Sequence, residues 1–542
     1  ERRTGNVSLN FDRVFNTVHN LNAVLAYEET YNYGYNFRAE RELKMPLPYL
    51  DLGTSVQYAS GSPPSEYANR GLIGRLNYDY NRKYLFEGLF RYDGSSHFLP
   101  GKQWDLFYGL SAGWRISEES FIKDNLSFIE NLKLRASYGR LGDDNSNLYE
   151  FLGGYNYPGD GATSGNYPRA YYLGTEFVPT LATRATPNYN ITWYDISNIN
   201  LAIDLDLWNG LLGVTADFFQ RDRSGLYATR AAELPGTFGA SMPQENLNKD
   251  RNKGFELELR HRNRAGDLHY NLSANLTLTR AMKIVNIHTP YGNSYDEWRN
   301  TGENRYSDIW FAWGATGQYQ SYDQIGTYPI MTGTGVLPGD YIYEDWNNDG
   351  VIDDNDRHPY GITADPSKSA FQDKKNYPLM NFAFNARFDY KNFDLDFMFQ
   401  GSAFSNVAYG EQLSQPLAWD GNVLPHLLDR WHPADPKADP YNPNTAWVKG
   451  YYAYGTIVAD QNSGFLIQDG SYLRLKTVTL GYTLPKKLFG VTGVNNLRLY
   501  VSGYNILTFT GVKGLDPERP TEVYGYMYPL NKTVNFGASL KF

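Results

Sequence analysis

The densest group of oxygen-bearing side chains in the sequence lies between residues 345 and 356. The segment follows the twelve-residue calcium loop, which places oxygen ligands at positions 1, 3, 5, 7, 9 and 12 and a glycine, here Gly350, at its sharp turn. The residues at the ligand positions are Asp345, Asn347, Asp349, Val351 through its carbonyl, Asp353 through water, and Asp356. Because carboxylates this close repel one another without a cation, the segment predicts a bound Ca²⁺ that stiffens a loop.

The same residues allow an alternative without a metal. Position 12 holds Asp356 where the helix-flanked calcium loop has Glu, and the shorter side chain reaches less far toward a central ion. Asn348, Asp349 and Gly350 are also typical of a tight turn in which Asn and Asp side chains accept hydrogen bonds from the main chain. The sequence favours the calcium loop and leaves the metal-free turn open.

Aromatic residues form a second group of candidates, since they make up 16% of the chain. Flat apolar rings with polar rims could stack on sugar rings or grip a peptide, and those in the predicted loops are candidates for contact with a substrate or a partner protein. The tryptophan candidates are Trp310, Trp313, Trp419, Trp431 and Trp447. For each of them the alternative is packing among the loops themselves.

Catalytic groupings do not appear in the sequence. The eight His are scattered, and neither a Gly-x-Ser-x-Gly motif nor a His/Glu zinc spacing occurs. Asp204 and Asp206 are spaced as neighbours on one face of a strand, which a water-filled interior explains without glycosidase chemistry. The net charge of −9, with no basic stripe, argues against a nucleic-acid partner. We therefore expect a protein that is not an enzyme.

The elements that position these residues are predicted from alternation of apolar and polar side chains. No run of about twenty apolar residues occurs, which excludes a helical membrane protein, whereas a barrel hides its apolar band by alternation. Ile199, Leu201 and Ile203 share one face and Asp204 the other, and Asn209-Gly210 then gives a strong hairpin signal. This pattern recurs from end to end and predicts an all-β chain.

Marking every such run predicts about fifteen strands, many of them as long as a tilted membrane-spanning strand requires. The predicted strands are 5–13, 19–34, 67–80, 83–92, 104–115, 131–140, 198–208, 211–222, 252–263, 267–282, 378–390, 392–404, 465–484, 494–506 and 532–542. Short turns alternate with long connections, including 283–377 and 405–464. Short turns on one side and long loops on the other are typical of an outer-membrane barrel.

Three segments refine this prediction. Segment 116–130 is longer than the other short turns and predicts a brief helical cap. Segment 309–319 resembles a strand, but counting it as one would reverse the side of the Asn209-Gly210 turn, so we assign it to a loop. The last strand is amphipathic and ends on an aromatic, which predicts a membrane-insertion signal carried by Phe536, Leu540 and Phe542.

Several ordered motifs resemble the SusC/RagA family of TonB-dependent outer-membrane transporters. They include Arg91-Tyr92-Asp93-Gly94-Ser95-Ser96, Trp114-Arg115-Ile116-Ser117, Leu132-Lys133-Leu134-Arg135-Ala136-Ser137-Tyr138-Gly139, Asn252-Lys253-Gly254-Phe255-Glu256-Leu257, Pro338-Gly339-Asp340, Gly514-Leu515-Asp516-Pro517-Glu518 and the closing Phe542. The resemblance covers essentially the whole chain. It implies a large antiparallel barrel of about 22 strands, of which residues 1–542 would form the C-terminal part. The plug, the TonB-interacting segment and the first strands would then lie outside this sequence.

The resemblance also implies a function and a location. We expect an active nutrient importer in the outer membrane of a Gram-negative bacterium, with its long loops extracellular and its C-terminus periplasmic. Oligosaccharides are favoured over peptides as substrate. The implied partners are a SusD-like surface lipoprotein, the TonB system acting on a plug, and outer-membrane lipids. A surface-binding or assembly barrel without transport, a passive porin, and a soluble extracellular enzyme are the alternatives.

Overall fold

The computed structural model describes residues 1–43, 53–61, 64–156, 170–179, 182–230, 235–288, 290–331, 335–363, 378–409, 422–454, 463–485, 487, 495–518 and 530–541. Two of the predicted site residues, Trp419 and Phe542, lie outside these ranges. Among the described helices, none is both long enough and apolar enough to cross a membrane.

Fifteen long strands form one antiparallel sheet in which each strand pairs with the next along the chain. They are β1 (Arg2–Phe15), β2 (His19–Gly34), β3 (Ser65–Tyr80), β4 (Tyr84–Ser95), β5 (Trp104–Arg115), β6 (Ile129–Asp143), β7 (Tyr194–Leu207), β8 (Leu212–Thr229), β9 (Gln244–Ala265), β10 (Leu268–Val285), β11 (Met380–Tyr390), β12 (Phe393–Ala403), β13 (Tyr472–Thr483), β14 (Asn496–Thr510) and β15 (Thr533–Lys541). A two-residue strand, Arg305–Tyr306, adds to β10. The predicted all-β fold and the count of fifteen long strands are confirmed.

One face of the sheet is apolar and exposed. On β5 the side chains of Trp104, Leu106, Tyr108, Leu110 and Trp114 are all between 36% and 49% exposed, and alternate residues of the neighbouring strands continue this surface. Trp104 and Trp114 are ten residues apart, or about 34 Å along a strand at about 3.4 Å per residue. At a tilt of about 40° this becomes a height of about 26 Å, which matches an outer-membrane apolar band bounded by aromatic girdles.

The opposite face is polar and carries ion pairs between neighbouring strands. The Arg135 guanidinium of β6 lies 2.8 Å from the Asp204 carboxylate of β7 and 3.4 Å from Asp217 of β8. Arg498 of β14 donates a 2.8 Å hydrogen bond to Asp394 of β12 across the intervening strand. Because these charges have partners across the sheet, this face can contact water without collapsing into a dry core.

Tight turns join the strands at one end of the sheet, which we call the short-turn end. Asn16, Asn81, Arg82 and Lys391 have positive φ angles there, because the strands reverse within two to four residues. The predicted Asn209-Gly210 turn is wider than a two-residue hairpin. Strand β7 ends at Leu207 and β8 begins at Leu212, with Trp208, Asn209 and Gly210 all left-handed.

The predicted helical cap between β5 and β6 is confirmed. It consists of a 3-10 turn, Ile116–Glu118, followed by α1 (Ser120–Lys123). It is the longest connection at the short-turn end among the described residues.

The other end carries the long connections, which have small elements of their own. Paired short strands are Phe37–Leu43 with Gly53–Gly61, Tyr155–Asn156 with Ala182–Thr183, Ala170–Leu173 with Glu176–Pro179, Trp310–Ala312 with His358–Gly361, Ala315–Gln318 with Tyr341–Tyr343, Asn406–Ala408 with Ile467–Asp469, and His432–Pro433 with Trp447–Val448. Helices are α2 (Ser294–Asn300), α3 (Tyr322–Ile325) and the 3-10 turns Gly236–Phe238, Asp354–Asp356, Pro425–Leu428 and Gly464–Leu466. Segment 309–319 is part of these connections, as predicted.

One predicted strand was too long. The sequence predicts a strand over 465–484, whereas β13 begins at Tyr472. Asp469 and Gly470 form a turn in which the Asp469 carboxylate accepts the Ser471 N–H at 2.9 Å. The chain before this turn pairs with Asn406–Ala408 instead of the main sheet.

Candidate functional site

The connections at the long-loop end pack into an ordered layer. We define the loop layer as the described parts of 286–379, 404–471 and 511–518. A hydrophobic core joins the second and third of these segments, and its buried residues are Val407, Tyr409, Leu427, Tyr452, Leu466 and Val512. Loops with a buried core of their own form a fixed surface over the sheet end.

Gln318 ties the first and second segments of the loop layer together. Its Nε2 donates to the main-chain carbonyls of Gly339 at 2.9 Å and Tyr451 at 3.0 Å, and its Oε1 accepts the Trp431 Nε1–H at 3.3 Å. A single amide thus satisfies polar groups from residues more than a hundred positions apart in sequence. Removing the Gln318 amide would leave the Gly339 and Tyr451 carbonyls and the Trp431 Nε1–H without these hydrogen bonds.

Gly339 allows this close contact because it has no side chain. Its φ is +94°, and a Cβ placed on it would lie 2.3 Å from the Trp431 side chain. The Pro338-Gly339-Asp340 motif therefore places main chain directly against the indole. No other residue type would fit both the backbone angle and the space.

Asp340 is a buried carboxylate in the same turn. One oxygen accepts the Leu337 N–H at 2.8 Å, and the other is buried with no hydrogen-bond partner among the described residues. Burial raises the pKa of Asp340 to about 7, because the charged form loses its hydration. The protonation state of this group is therefore sensitive to pH in the neutral range.

A buried arginine ties the third segment to the sheet. Arg474 of β13 is only 2% exposed and donates to Asp516 at 2.7 Å and Thr508 at 3.0 Å, with a further ion pair to Glu518. A bulge in the pairing of β13 with β14 brings Lys476 to the same cluster, 2.8 Å from Glu518. Two cations and two carboxylates balance each other at the base of the loop layer.

The acidic loop 345–356 is organised by its own main chain. Asp345 accepts the N–H groups of Asp349 at 3.1 Å and Gly350 at 2.8 Å, and the fully buried Asp356 accepts those of Trp346 and Asp353, each at 2.8 Å. This arrangement is the one that the metal-free turn predicts. In the part of the chain that the structure describes, no three His, Cys, Asp or Glu side chains are grouped to hold one metal ion. The Ca²⁺ stays a prediction.

The other predicted ligand positions have similar roles. Asn347 accepts the Asp349 N–H through its Oδ1 at 3.1 Å, and Asp353 accepts the Asn355 N–H at 2.6 Å as the cap of a 3-10 turn. The Asp349 carboxylate accepts the Val351 N–H at 2.9 Å. A carboxylate offers about four lone-pair sites, so these bonds do not use all of the oxygens' capacity.

The tryptophan candidates divide by burial. Trp310, Trp313 and Trp431 are buried within the loop layer, and the Trp313 Nε1–H donates to the Asp353 carbonyl at 2.7 Å. Packing among the loops, the alternative left open by the sequence, accounts for these three. Trp447 is partly exposed and contacts the Tyr454 ring edge-on. It remains a candidate for contact with substrate or partner.

The polar face also holds a pocket of about 690 Å³ near the short-turn end. Charged groups of both signs line it, among them Asp12, Asp79, Glu87, Lys133 and Arg135. The alternation in the sequence predicts a polar face but gives no signal for this pocket. Gln318 and Arg474 likewise carry no local signal, although Asp516 and Glu518 belong to one of the motifs that resemble the SusC/RagA family.

The long antiparallel strands, the apolar outer face and the asymmetry of the connections define a class of protein: a large β-barrel of the outer-membrane type. Residues 2–349 match the family described as TonB dependent receptor-like, beta-barrel. The chain belongs to this family, whose members are outer-membrane receptors and not enzymes. The expectation that the protein is not an enzyme is therefore confirmed.

Two relatives illustrate the match. The chain is 29% identical over 511 residues to TonB-dependent receptor P3 of Formosa agariphila, covering 88% of this chain and 46% of that one. It is 27% identical over 492 residues to TonB-dependent receptor SusC of Bacteroides thetaiotaomicron, covering 88% and 44%. The predicted SusC/RagA resemblance is confirmed. The chain spans about half the length of the curated relatives it matches.

The fold agrees with a solved structure of the same kind. The RagAB peptide importer in its closed-closed state superposes with a TM-score of 0.71 at 20% sequence identity, covering 100% of this chain and 55% of that chain. At this identity the likeness concerns the fold. It confirms the large antiparallel barrel architecture.

Proposed function

We propose that this chain forms the barrel of an active nutrient importer, with oligosaccharides favoured over peptides as the substrate. The observation that carries the proposal is the loop layer at one end of a two-faced sheet. A hydrophobic core joins its second and third segments, and the hydrogen bonds of Gln318 tie the first segment to the second. A fixed surface of this kind can hold a substrate together with a partner protein. Substrate would be captured between the loop layer and a SusD-like lipoprotein.

Energy would come from the TonB system acting on a plug inside the barrel. The polar face supports this, because its paired charges and its 690 Å³ pocket suit a hydrated passage. One solved neighbour is described as a peptide importer, which keeps peptides as a second substrate class. The partly exposed Trp447 supports oligosaccharides, since sugar rings stack on aromatic faces.

In this proposal the long loops are extracellular and the C-terminus is periplasmic. The short turns at the opposite end support this orientation, because outer-membrane barrels keep their short turns on the periplasmic side. Phe536 on β15 is 85% exposed, and Leu540 lies on the same face. This exposure supports an insertion signal, because the insertion machinery must be able to contact these side chains. Phe542 would complete that signal.

The loop 345–356 would take up Ca²⁺ in the same proposal. Its spacing supports this, together with the lone pairs left on Asp345, Asp349 and Asp353 after their main-chain hydrogen bonds are counted. The ion would stiffen the loop layer without taking part in transport. The metal-free turn is the other outcome of the test given in the Discussion.

An uptake experiment tests the importer. A strain lacking the gene is complemented with the complete protein and incubated with fluorescently labelled oligosaccharides or peptides, with and without a protonophore. Energy-dependent accumulation of one class would support import and identify the substrate. Accumulation that the protonophore does not reduce would indicate a porin. Surface binding without accumulation would indicate a non-transporting adhesin or assembly barrel.

A further inference from the structure

The helical cap at the short-turn end is longer than closing a hairpin requires. It comprises residues 116–128, whereas the turn from β9 to β10 needs only Gly266 and Asp267. Connections between paired strands are commonly about two to five residues long. The side-chain contacts of the longer cap identify where it lies.

Glu119 fixes the cap to the aromatic end of the sheet. Its carboxylate accepts the Tyr84 hydroxyl at 2.6 Å and the Trp114 Nε1–H at 3.2 Å, and it lies 3.4 Å from the Lys83 ammonium. Three donors on one carboxylate hold the residue before α1 in place. The cap therefore cannot swing freely below the sheet.

The rings that hold Glu119 belong to the apolar face. Tyr84 and Trp114 are stacked with centroids 6.5 Å apart, and Tyr80 stacks on Tyr84 at 6.4 Å. All three are exposed on the apolar face, where they form the girdle at the short-turn end. Because Glu119 is bonded to this girdle, the cap lies on the membrane side of the sheet end.

Beyond Glu119 the cap exposes further aromatic rings. Phe121 in α1 is 56% exposed, and Phe128 is exposed while stacked at 5.9 Å on Trp208 of the neighbouring turn. The main chain joins these two turns through the Trp208 N–H and the Phe128 carbonyl at 2.8 Å. Lys123, in the same helix as Phe121, is also exposed, and its ammonium lies 3.2 Å from Glu118.

We propose that residues 119–128, together with Trp208, form a membrane-interface anchor for phospholipid in the leaflet at the short-turn end. A segment that exposes both aromatic rings and a lysine ammonium matches the boundary between acyl chains and headgroups. Continuity with the girdle favours lipid over a soluble periplasmic protein, since Glu119 bonds to two girdle rings directly. The anchor extends the membrane-binding surface of the barrel beyond its strands.

Site-directed labelling tests this directly, because the chain contains no cysteine. Phe121→Cys and Phe128→Cys would be introduced separately into the complete protein, with any cysteines elsewhere replaced, and labelled with an environment-sensitive fluorophore in phosphatidylethanolamine vesicles. Leu110→Cys, four residues from Trp114 and six from Trp104 near the middle of the apolar band, serves as the lipid control. Asp267→Cys in a two-residue turn at the same end serves as the aqueous control.

The expected result is loss of fluorescence at positions 121 and 128 with headgroup-attached nitroxide lipids. A deep acyl-chain nitroxide should have a smaller effect there and the larger effect at position 110. Position 267 should keep its fluorescence with either lipid. If positions 121 and 128 keep their fluorescence with both nitroxide lipids, as position 267 should, the cap does not contact lipid and the proposal is wrong. Transport need not be measured, so this result is independent of the importer proposal.

Discussion

The Arg474 guanidinium and the Asp516 carboxylate form a buried ion pair at 2.7 Å that joins β13 to the segment following β14. Arg474 is almost inaccessible to water, and Glu518 accepts from the same guanidinium. This cluster is the contact by which the third segment of the loop layer is held to the sheet. Together with the packing of Val512 in the hydrophobic core, it orders residues 511–518.

Replacing Arg474 with Met should release that segment. The substitution keeps much of the side-chain volume but leaves Asp516 and Glu518 without their main cation, and breaking a buried pair costs about 3–5 kcal/mol. We expect amide hydrogen exchange in residues 511–518 to rise by about a hundredfold or more, because each tenfold change corresponds to about 1.4 kcal/mol. Hydrogen-exchange mass spectrometry of the complete protein in detergent measures this.

Arg75→Met is the matched control for this substitution. Arg75 pairs with Glu87 at a hydrogen-bond distance of 2.9 Å on the polar face, but its side chain is about half exposed. An exposed pair of this kind contributes about 0–1 kcal/mol. Equal effects of the two substitutions would show that the Arg474 cluster does not hold the loop segment.

Gly339→Ala should loosen the loop layer through steric conflict with Trp431. The added methyl would lie 2.3 Å from the indole and would also force alanine to φ +94°. Gly101→Ala separates the two effects, because Gly101 has the same φ with no atom within 4 Å of an added Cβ. The control should lose only about 1 kcal/mol for its backbone angle. Thermal unfolding of both variants checks the difference, and equal losses would contradict the steric account.

The loop layer should become less stable as the pH rises through neutrality. Burial raises the pKa of Asp340 to about 7, well above its usual value near 3.8, so the folded state binds the proton more tightly. This contribution is fully present below the unfolded pKa and is lost as the pH rises through the folded pKa. Hydrogen exchange in residues 335–343, corrected for its intrinsic rate, should therefore be faster at about pH 8 than at about pH 5.

Asp340→Asn should abolish that pH dependence. The amide keeps an acceptor for the Leu337 N–H and cannot ionise. A wild-type protein whose protection in this segment rises with pH would show that the carboxylate is charged and stabilised in the folded state.

Calcium binding can be separated from the metal-free turn by one isosteric change. If the loop takes up Ca²⁺, adding the ion should raise the melting temperature of the wild type, because ligands that bind the folded state stabilise it. Asp349→Asn should remove this rise while its Oδ1 still accepts the Val351 N–H. Asp354→Asn is the control, since its side chain is 77% exposed and lies outside the ligand positions. If Ca²⁺ does not change the melting temperature of the wild type, the calcium proposal is wrong and the loop is the metal-free turn.

The strands could be predicted because their signal is local. Phe382, Phe384 and Phe388 alternate with Asn385 and Arg387 in the sequence, and the structure places the whole run in β11. Alternation fixes the faces of a strand once one face contacts lipid. Strand ends were less certain, as the early start predicted for β13 shows, because an Asp-Gly turn interrupted a continuing alternation.

The site could not be predicted to the same depth because its contacts are long-range. Nothing in the sequence near Gln318 indicates that its amide reaches the Tyr451 carbonyl, 133 positions away. Burial of Trp313 and Trp431 likewise depends on loops that meet only in the folded chain. The acidic loop shows a different limit: the spacing that ligates Ca²⁺ also satisfies the main chain of a tight turn.

The most direct test of the importer is a cryo-EM map of the complete protein purified in detergent from its native outer membrane. Within the described residues β1 and β15 each have a partner on one side only. We predict that further strands join these two edges into a closed barrel, that a plug fills its polar interior, and that a lipoprotein covers the loop layer. An open barrel with no plug and no cover would contradict active import.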